Sequence, residues 1–249
     1  MSGKVLLVTG GGRGIGAATC RSAGARGFAV AVNYRDNEAA AAEVVAEIER
    51  AGGRAIAIRA DVGRESEVER LFAETEARLG PVTHLVNNAG ITGRAGRLNE
   101  VATETLGAVF DLNILGAFLC ARAAVCRMST RHGGKGGAIV NISSGAATIG
   151  SSGEWIWYAA SKAAVDTMTL GLARELAREG VRVNSVQPGL VATDIHLSSG
   201  IEDRLGKLAP NIPMGRAGTA EEVAETILFL LSDAASHVTG AVLRVAGGR

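Results

Sequence analysis

The chain is poor in cysteine, proline and aromatic residues, and neither sign of charge is in excess. Its 249 residues include 3 cysteines and 4 prolines, and Phe, Trp and Tyr together make up 4%. The cysteines, Cys20, Cys120 and Cys126, are odd in number and show no C-x-x-C spacing. That argues against a disulfide framework and a cysteine-built metal site, and predicts a reducing, cytoplasmic setting with no bound metal. Lys plus Arg number 26 against 25 for Asp plus Glu, a formal charge of +1. Nucleic-acid binding rests on phosphate neutralisation, so this balance, with no long basic run, predicts no nucleic-acid partner. Apolar runs are short. The first, Val5-Leu6-Leu7-Val8, is briefer than the apolar region of a signal peptide. Nothing approaches the ~18 consecutive apolar residues of a membrane span, so no membrane association is expected.

What is abundant is glycine, 34 residues, and aliphatic surface, with 47% hydrophobic against 20% charged residues. A core of Ala, Val, Leu and Ile suits close packing of helices onto a sheet. Short apolar runs at 5–9, 28–34, 55–59, 82–86, 138–142, 181–186 and 241–245 read as strands. Between them, helical spacing appears at about 14–26, 38–51, 65–79, 103–131, 157–179 and 220–231. A glycine-rich loop, His132-Gly-Gly-Lys-Gly-Gly137, separates the fourth helix from the fifth strand. Strands alternating with helices predict an α/β fold: a doubly wound, parallel, seven-stranded sheet with helices on both faces. No composition break divides the chain, so residues 1–249 are expected to form one domain. The one long irregular insertion, 190–219, is expected to act as a substrate lid.

Thr9-Gly10-Gly11-Gly12-Arg13-Gly14-Ile15-Gly16 lies between the first strand and the first helix. Glycine there allows positive φ and close approach of the backbone to a pyrophosphate, and the helix that follows aims free N–H groups at the anion. A phosphate loop of the Walker type needs Gly-Lys followed by Ser or Thr, whereas Gly16 is followed by Ala17. The pattern is that of a Rossmann-type dinucleotide site. An acid about 20 residues on would hydrogen-bond a ribose 2′-hydroxyl. Here that place holds Asn33, Tyr34 and Arg35, and Arg13 can reach the same region. Two guanidiniums favour a 2′-phosphate, hence NADP over NAD. Asp36, one residue further, is the opposing signal.

Tyr158 and Lys162 are four apart on a predicted helix and so share a face. A phenol ionises at about pH 10, too high for a base at neutrality. A neighbouring ammonium, with an oxidised nicotinamide, would lower it toward 7, which takes roughly 4 kcal/mol. These residues, with Asp61-Val62, Asn87-Asn-Ala-Gly90, Asn113, Ser143-Ser144 and Pro188-Gly189 followed by Thr193, make the whole chain resemble the short-chain dehydrogenase/reductases in their compact form. Among them it looks most like 3-oxoacyl-carrier-protein reductases and related sugar and alcohol dehydrogenases.

The resemblance implies an NADP-dependent oxidoreductase that interconverts a ketone and a secondary alcohol. By it, Tyr158 is the general acid/base and Ser144 holds the substrate oxygen. Lys162 supports the tyrosine and the nicotinamide ribose, and Asn113 a water-linked proton path. Ser144 is preferred to Ser143 because adjacent strand residues point to opposite faces, although its spacing to Tyr158 suggests a small insertion within 145–157. The resemblance also assigns cofactor contacts to Gly10, Arg13, Gly14, Ile15, Gly16, Asp61, Val62, Asn88, Ala89, Gly90, Pro188, Gly189, Val191 and Thr193, and implies a homotetramer. Trp155 or Trp157 is expected to wall the substrate cavity, and His196 is a weaker lid candidate. Arg122, Arg127, Arg131 and Lys135 read first as a solvated helix face and second as a docking patch for an acidic carrier protein. The alternatives are a 3-oxoacyl-carrier-protein reductase and, in another class, a sensor of NAD(P) without turnover.

Overall fold

Each apolar run becomes a strand, and a helix carries the chain back to start the next. A computed structural model describes residues 3–193 and 203–249. Its strands are β1 (Val5–Val8), β2 (Ala29–Tyr34), β3 (Arg54–Arg59), β4 (His84–Asn87), β5 (Gly137–Ile142), β6 (Val181–Pro188) and β7 (Val242–Val245). They form one sheet in the order β3-β2-β1-β4-β5-β6-β7, with every pairing parallel. This is the doubly wound α/β sheet expected from the alternation. The order reverses between β1 and β4, and such a switch point leaves a crevice beyond the carboxyl ends of the strands.

Alternation along the strands builds two cores. Leu6, Val8, Val30 and Val32 pack on one face with α1 (Gly14–Ala25), α2 (Glu38–Arg50) and α9 (Ala220–Leu231). Val5, Leu7, Ile56 and Ile58 pack on the other with α3 (Glu65–Leu79), α5 (Ala117–Met128) and α7 (Ile156–Leu176). Leu6, Leu7, Leu71 and Phe72 are wholly buried, each stabilising the fold by about 1.5–3 kcal/mol relative to exposure. Cys20 and Cys120 lie in these cores and Cys126 is exposed, all three free.

The helix predicted over 103–131 is interrupted. It runs as α4 (Thr103–Phe110), a wide π-helical turn at Asp111–Gly116, and α5, then ends in a short 3₁₀ turn at Thr130–His132. The cause is local. Asn113 turns inward to hydrogen-bond the backbone of Ile91, and Gly116 sits where a Cβ would lie 3.1 Å from the Val62 carbonyl oxygen. By length and composition Thr103–Met128 could cross a bilayer, its most apolar 18-residue window having a mean hydropathy of 1.7. As expected from the sequence, no 18 consecutive residues are apolar, but the chain stays helical through Asp111 and Arg122 by way of the π-helical turn and so reaches a spanning length. The helix is apolar on two sides: 44% of its most apolar window is buried within the protein, while Phe110, Leu115 and Phe118 are exposed.

The helix caps differ in a way that matters for the site. Asn37 accepts from Ala40 N at the start of α2, and Thr219 and Glu222 form a capping box on α9. At α1, Arg13 offers no side-chain cap and the first turn carries no acid.

Candidate active site

A cavity of about 720 Å³ opens at the carboxyl ends of the central strands. Gly10 and Gly14 take φ of +62° and +51°, which lets the backbone of the first loop curl beneath it. Gly10, Arg13, Gly14 and Ile15 line this end of the cavity. Gly16 does not line it. A Cβ there would stand 2.4 Å from the Gly10 carbonyl oxygen, so this glycine serves the packing of helix against loop. Asn33 does line the cavity and also supports the loop: its Oδ1 accepts from Gly10 N, and its amide donates to the Ala60 carbonyl at 3.0 Å. Thr9, absent from the expected site residues, braces the loop from the other side by accepting from the backbone N–H groups of Asn88 and Ala89.

Tyr34, Arg35, Asp61, Val62, Asn88 and Ala89 form the adjoining wall. Arg35 Nε donates to Asp36 Oδ2 at 2.7 Å, and both side chains are exposed. The opposing signals of the sequence are thus an ion pair at the cavity rim. Opposite, Pro188 ends β6, and Gly189, Val191 and Thr193 continue across the opening. Thr193 is close enough to Gly14 that a Cβ there would lie 3.3 Å from its methyl carbon.

The residues expected to carry the chemistry meet between these walls. Tyr158 and Lys162 stand on α7, with Lys162 Nζ 5.7 Å from the Tyr158 ring centre and donating to the Ile142 carbonyl at 2.7 Å. Ser143 and Ser144 diverge. The Ser143 hydroxyl is buried and donates to the Lys162 carbonyl at 3.0 Å, whereas that of Ser144 shares a hydrogen bond with Tyr158. A one-turn helix, α6 (Ala146–Ile149), lies within the longer spacing noted between Ser144 and Tyr158. Asn113 does not line the cavity; it is held by both backbone groups of Ile91 at 2.9 Å and donates to Ser161 Oγ. Its Oδ1 and Lys162 Nζ converge on Gly90, where a Cβ would stand 3.2 Å from each.

Burial dominates the ionisation of this pair. It pushes the Lys162 ammonium down to about 8, opposed by the negative charge of Asp166 one turn along α7. It pushes the Tyr158 phenol up, and the hydrogen bond with Ser144 only offsets part of that rise. The expectation of a phenol drawn toward neutrality is therefore reversed in the protein alone. Desolvation outweighs the ammonium, which is turned to Ile142. Asp166, not singled out in the sequence, is held by Ser185 Oγ at 2.9 Å and Gln187 Nε2 at 2.7 Å. Its signal was present, since it follows Lys162 by one helical turn.

The far end of the cavity is walled by Ile149, Glu154, Trp155, Arg204 and Leu208. Trp155 thus meets the expectation for a cavity tryptophan. Trp157 is buried beside Val109 and donates to the Thr92 carbonyl at 2.7 Å. The expected lid lies partly outside the described residues, and His196 wholly so. Its described part is not irregular throughout: it contains α8 (Arg204–Leu208), and a parallel bridge joins Val191 to Gly218.

A family profile described as enoyl-(acyl carrier protein) reductase matches residues 10–249. The uncharacterized oxidoreductase YgfF of Escherichia coli (strain K12) is 47% identical over 98% of this chain and 99% of its own. A crystal structure of a short chain dehydrogenase from Burkholderia cenocepacia J2315 in complex with NADP aligns at a TM-score of 0.90, with 35% identity over 99% of this chain and 97% of that one. The chain belongs to the short-chain dehydrogenase/reductase family. A 3-ketoacyl-(acyl-carrier-protein) reductase from Brucella melitensis complexed with NADH aligns at a TM-score of 0.92, with 32% identity over 99% of this chain and 98% of that one. This short-chain dehydrogenase/reductase is accordingly an oxidoreductase, and its fold is shared along almost the whole chain.

Proposed function

We propose that this short-chain dehydrogenase/reductase reduces a ketone to a secondary alcohol with NADPH, and runs the reverse reaction with NADP. The observation that carries the reading is the meeting of Tyr158, Ser144 and Lys162 inside a cavity whose other end is a glycine loop. The residues fit a dinucleotide. Glycine leaves room for the pyrophosphate at Gly10 and Gly14, and the uncapped start of α1 offers unpaired N–H groups to it. Asp61 and Val62, with Asn88, Ala89 and Gly90, would hold the adenosine half. Pro188, Gly189, Val191 and Thr193 would hold the nicotinamide half. Bound there, the cofactor supplies the hydride.

The chain's own residues manage the proton. A buried phenol with a raised pKa is protonated at neutral pH, which readies Tyr158 to donate to the carbonyl oxygen as charge builds on it. Ser144 steadies the same oxygen by hydrogen bonding. Lys162, charged below about pH 8, stabilises the developing phenolate. Asn113, through Ile91 and Gly90, sets the position of the lysine rather than touching the substrate.

A second reading is a 3-oxoacyl-carrier-protein reductase, favoured by the name of the Brucella relative. Three of the four cations that would greet an acidic carrier, all but Lys135, are already ion-paired, however. Arg122 pairs with Glu65, Arg127 with Glu69 and Glu76, and Arg131 with Glu179. A free small-molecule ketone is therefore the preferred substrate, in a cytoplasmic enzyme.

Two apolar faces suit further copies of this chain. Phe110, Leu115, Phe118 and Leu170 are 39–48% exposed on the α4, α5 and α7 side, and Phe229, Val242 and Leu243 are 36–44% exposed on α9 and β7. Two self-complementary faces generate a tetramer of D₂ symmetry. Light scattering should read four chains, and a monomer at micromolar concentration would exclude this assembly.

Calorimetric titration with NADPH and NADH tests the cofactor. Wild type should prefer NADPH at least 10-fold, and Arg35→Ala should erase that preference, since a charge-assisted pair contributes about 1.5–3 kcal/mol. Equal or tighter binding of NADH by wild type would assign the rim to Asp36 and a 2′-hydroxyl instead.

A further inference from the structure

We propose that Arg204 determines substrate specificity by receiving a carboxylate carried on the ketone; the proposal deepens the ketone-reductase reading above and rests on it. Arg204 opens α8 and lies against the far wall of the cavity. Its guanidinium carbon stands 4.5 Å from the centre of the Trp155 ring, and Nη1 donates to Glu154 Oε1 at 2.5 Å. The side chain is only 13% exposed. Its Nε is buried without an acceptor, and no other buried side-chain nitrogen or oxygen among the described residues is left in that condition.

A guanidinium is a planar fork with five N–H donors, suited to two parallel hydrogen bonds to a carboxylate. Glu154 takes one corner of that fork and leaves the Nε edge. Stacking on Trp155 holds the plane in place, so little freedom is lost when an anion binds. A ligand oxygen at the Nε edge relieves the one orphaned donor, and a carboxylate uses the adjacent N–H as well.

Position links this anion seat to the chemistry. Trp155 immediately precedes α7, and Tyr158 follows it by about one helical turn, so the carbonyl and the carboxylate of one small molecule can address Tyr158 and Arg204 together. Arg244, which also borders the cavity, is committed elsewhere, to Thr148, Gln187 and the Arg249 carbonyl. The substrate class that fits is therefore an oxo acid, or the hydroxy acid in reverse. Glu154 keeps the seat neutral until the anion arrives, and weakens the hold of stray anions.

The test compares linear oxo acids, with the carbonyl two to five positions from the carboxylate carbon, with their methyl esters. Each is titrated calorimetrically into the full chain with saturating NADP. At least one acid should bind wild type 10-fold tighter than its ester. Arg204→Gln should bind that acid and ester equally while keeping wild-type affinity for NADP. Glu154→Gln, which leaves Arg204 in place, should tighten the acid several-fold without changing the ester. The proposal is overturned if no acid outbinds its ester, or if the preference survives in Arg204→Gln. It is equally overturned if Glu154→Gln weakens acid and ester alike, the behaviour of a structural clasp. Failure of the ketone-reductase reading has a different signature: NADPH oxidation that stays at background with every acid and ester, whatever the binding shows.

Discussion

The two ends of the cavity are built from different materials. The nucleotide end is mostly backbone: glycines at positive φ, an uncapped helix start, and carbonyl and amide groups braced by Thr9 and Asn33. The substrate end is mostly side chain, with Glu154 and Trp155 from before α7 meeting Arg204 from beyond β6. Backbone sites are stiff and indifferent to the exact substrate. Side-chain sites can change partner by a single substitution. One fold can thus keep its cofactor chemistry while its substrate end diverges.

The sharpest way to break this contrast is a methyl group. Gly16→Ala places a Cβ 2.4 Å from the Gly10 carbonyl oxygen and 2.6 Å from the Asn88 amide nitrogen, so helix and loop must part. It should lower stability by about 1–3 kcal/mol and weaken NADPH binding strongly, read by thermal melting and calorimetry. The orphaned guanidinium end should behave otherwise, with nucleotide binding unchanged by Arg204→Gln. Nucleotide affinity at the wild-type level in Gly16→Ala would deny the backbone end its proposed stiffness.

A smaller effect concerns the ground between the ends. With Lys162 titrating at about 8, the kcat/KM for ketone reduction should fall as pH rises through that value, because the neutral amine no longer steadies the phenolate. Asp166 favours the charged amine. Asp166→Asn should therefore move the falling limb to lower pH, by on the order of one unit. A limb that stays in place would separate Asp166 from the lysine's ionisation.

How much could be read in the sequence follows the same division. The seven parallel strands are short apolar runs, six of them largely buried and β7 exposed, and all seven are visible as such. The glycine loop was legible because positive φ and close approach require glycine itself. Tyr158 and Lys162 were legible because a helix puts residues four apart on one face. The π-helical turn at Asp111–Gly116 was not, since its cause is a tertiary hydrogen bond from Asn113 to Ile91. The direction of the Tyr158 shift was missed because burial is a property of the packed site. Arg204 and Glu154 are 50 residues apart, and no periodicity connects a loop residue to a cavity wall.

The central claim is that Tyr158 delivers the proton in carbonyl reduction. Tyr158→Phe keeps the ring and removes only the hydroxyl, so single-turnover oxidation of NADPH with a reducible ketone is the direct measurement. The account predicts a rate at least 10²-fold below wild type, the lower bound for loss of a general acid, with NADPH affinity unchanged. A variant that oxidises NADPH at the wild-type rate would contradict it.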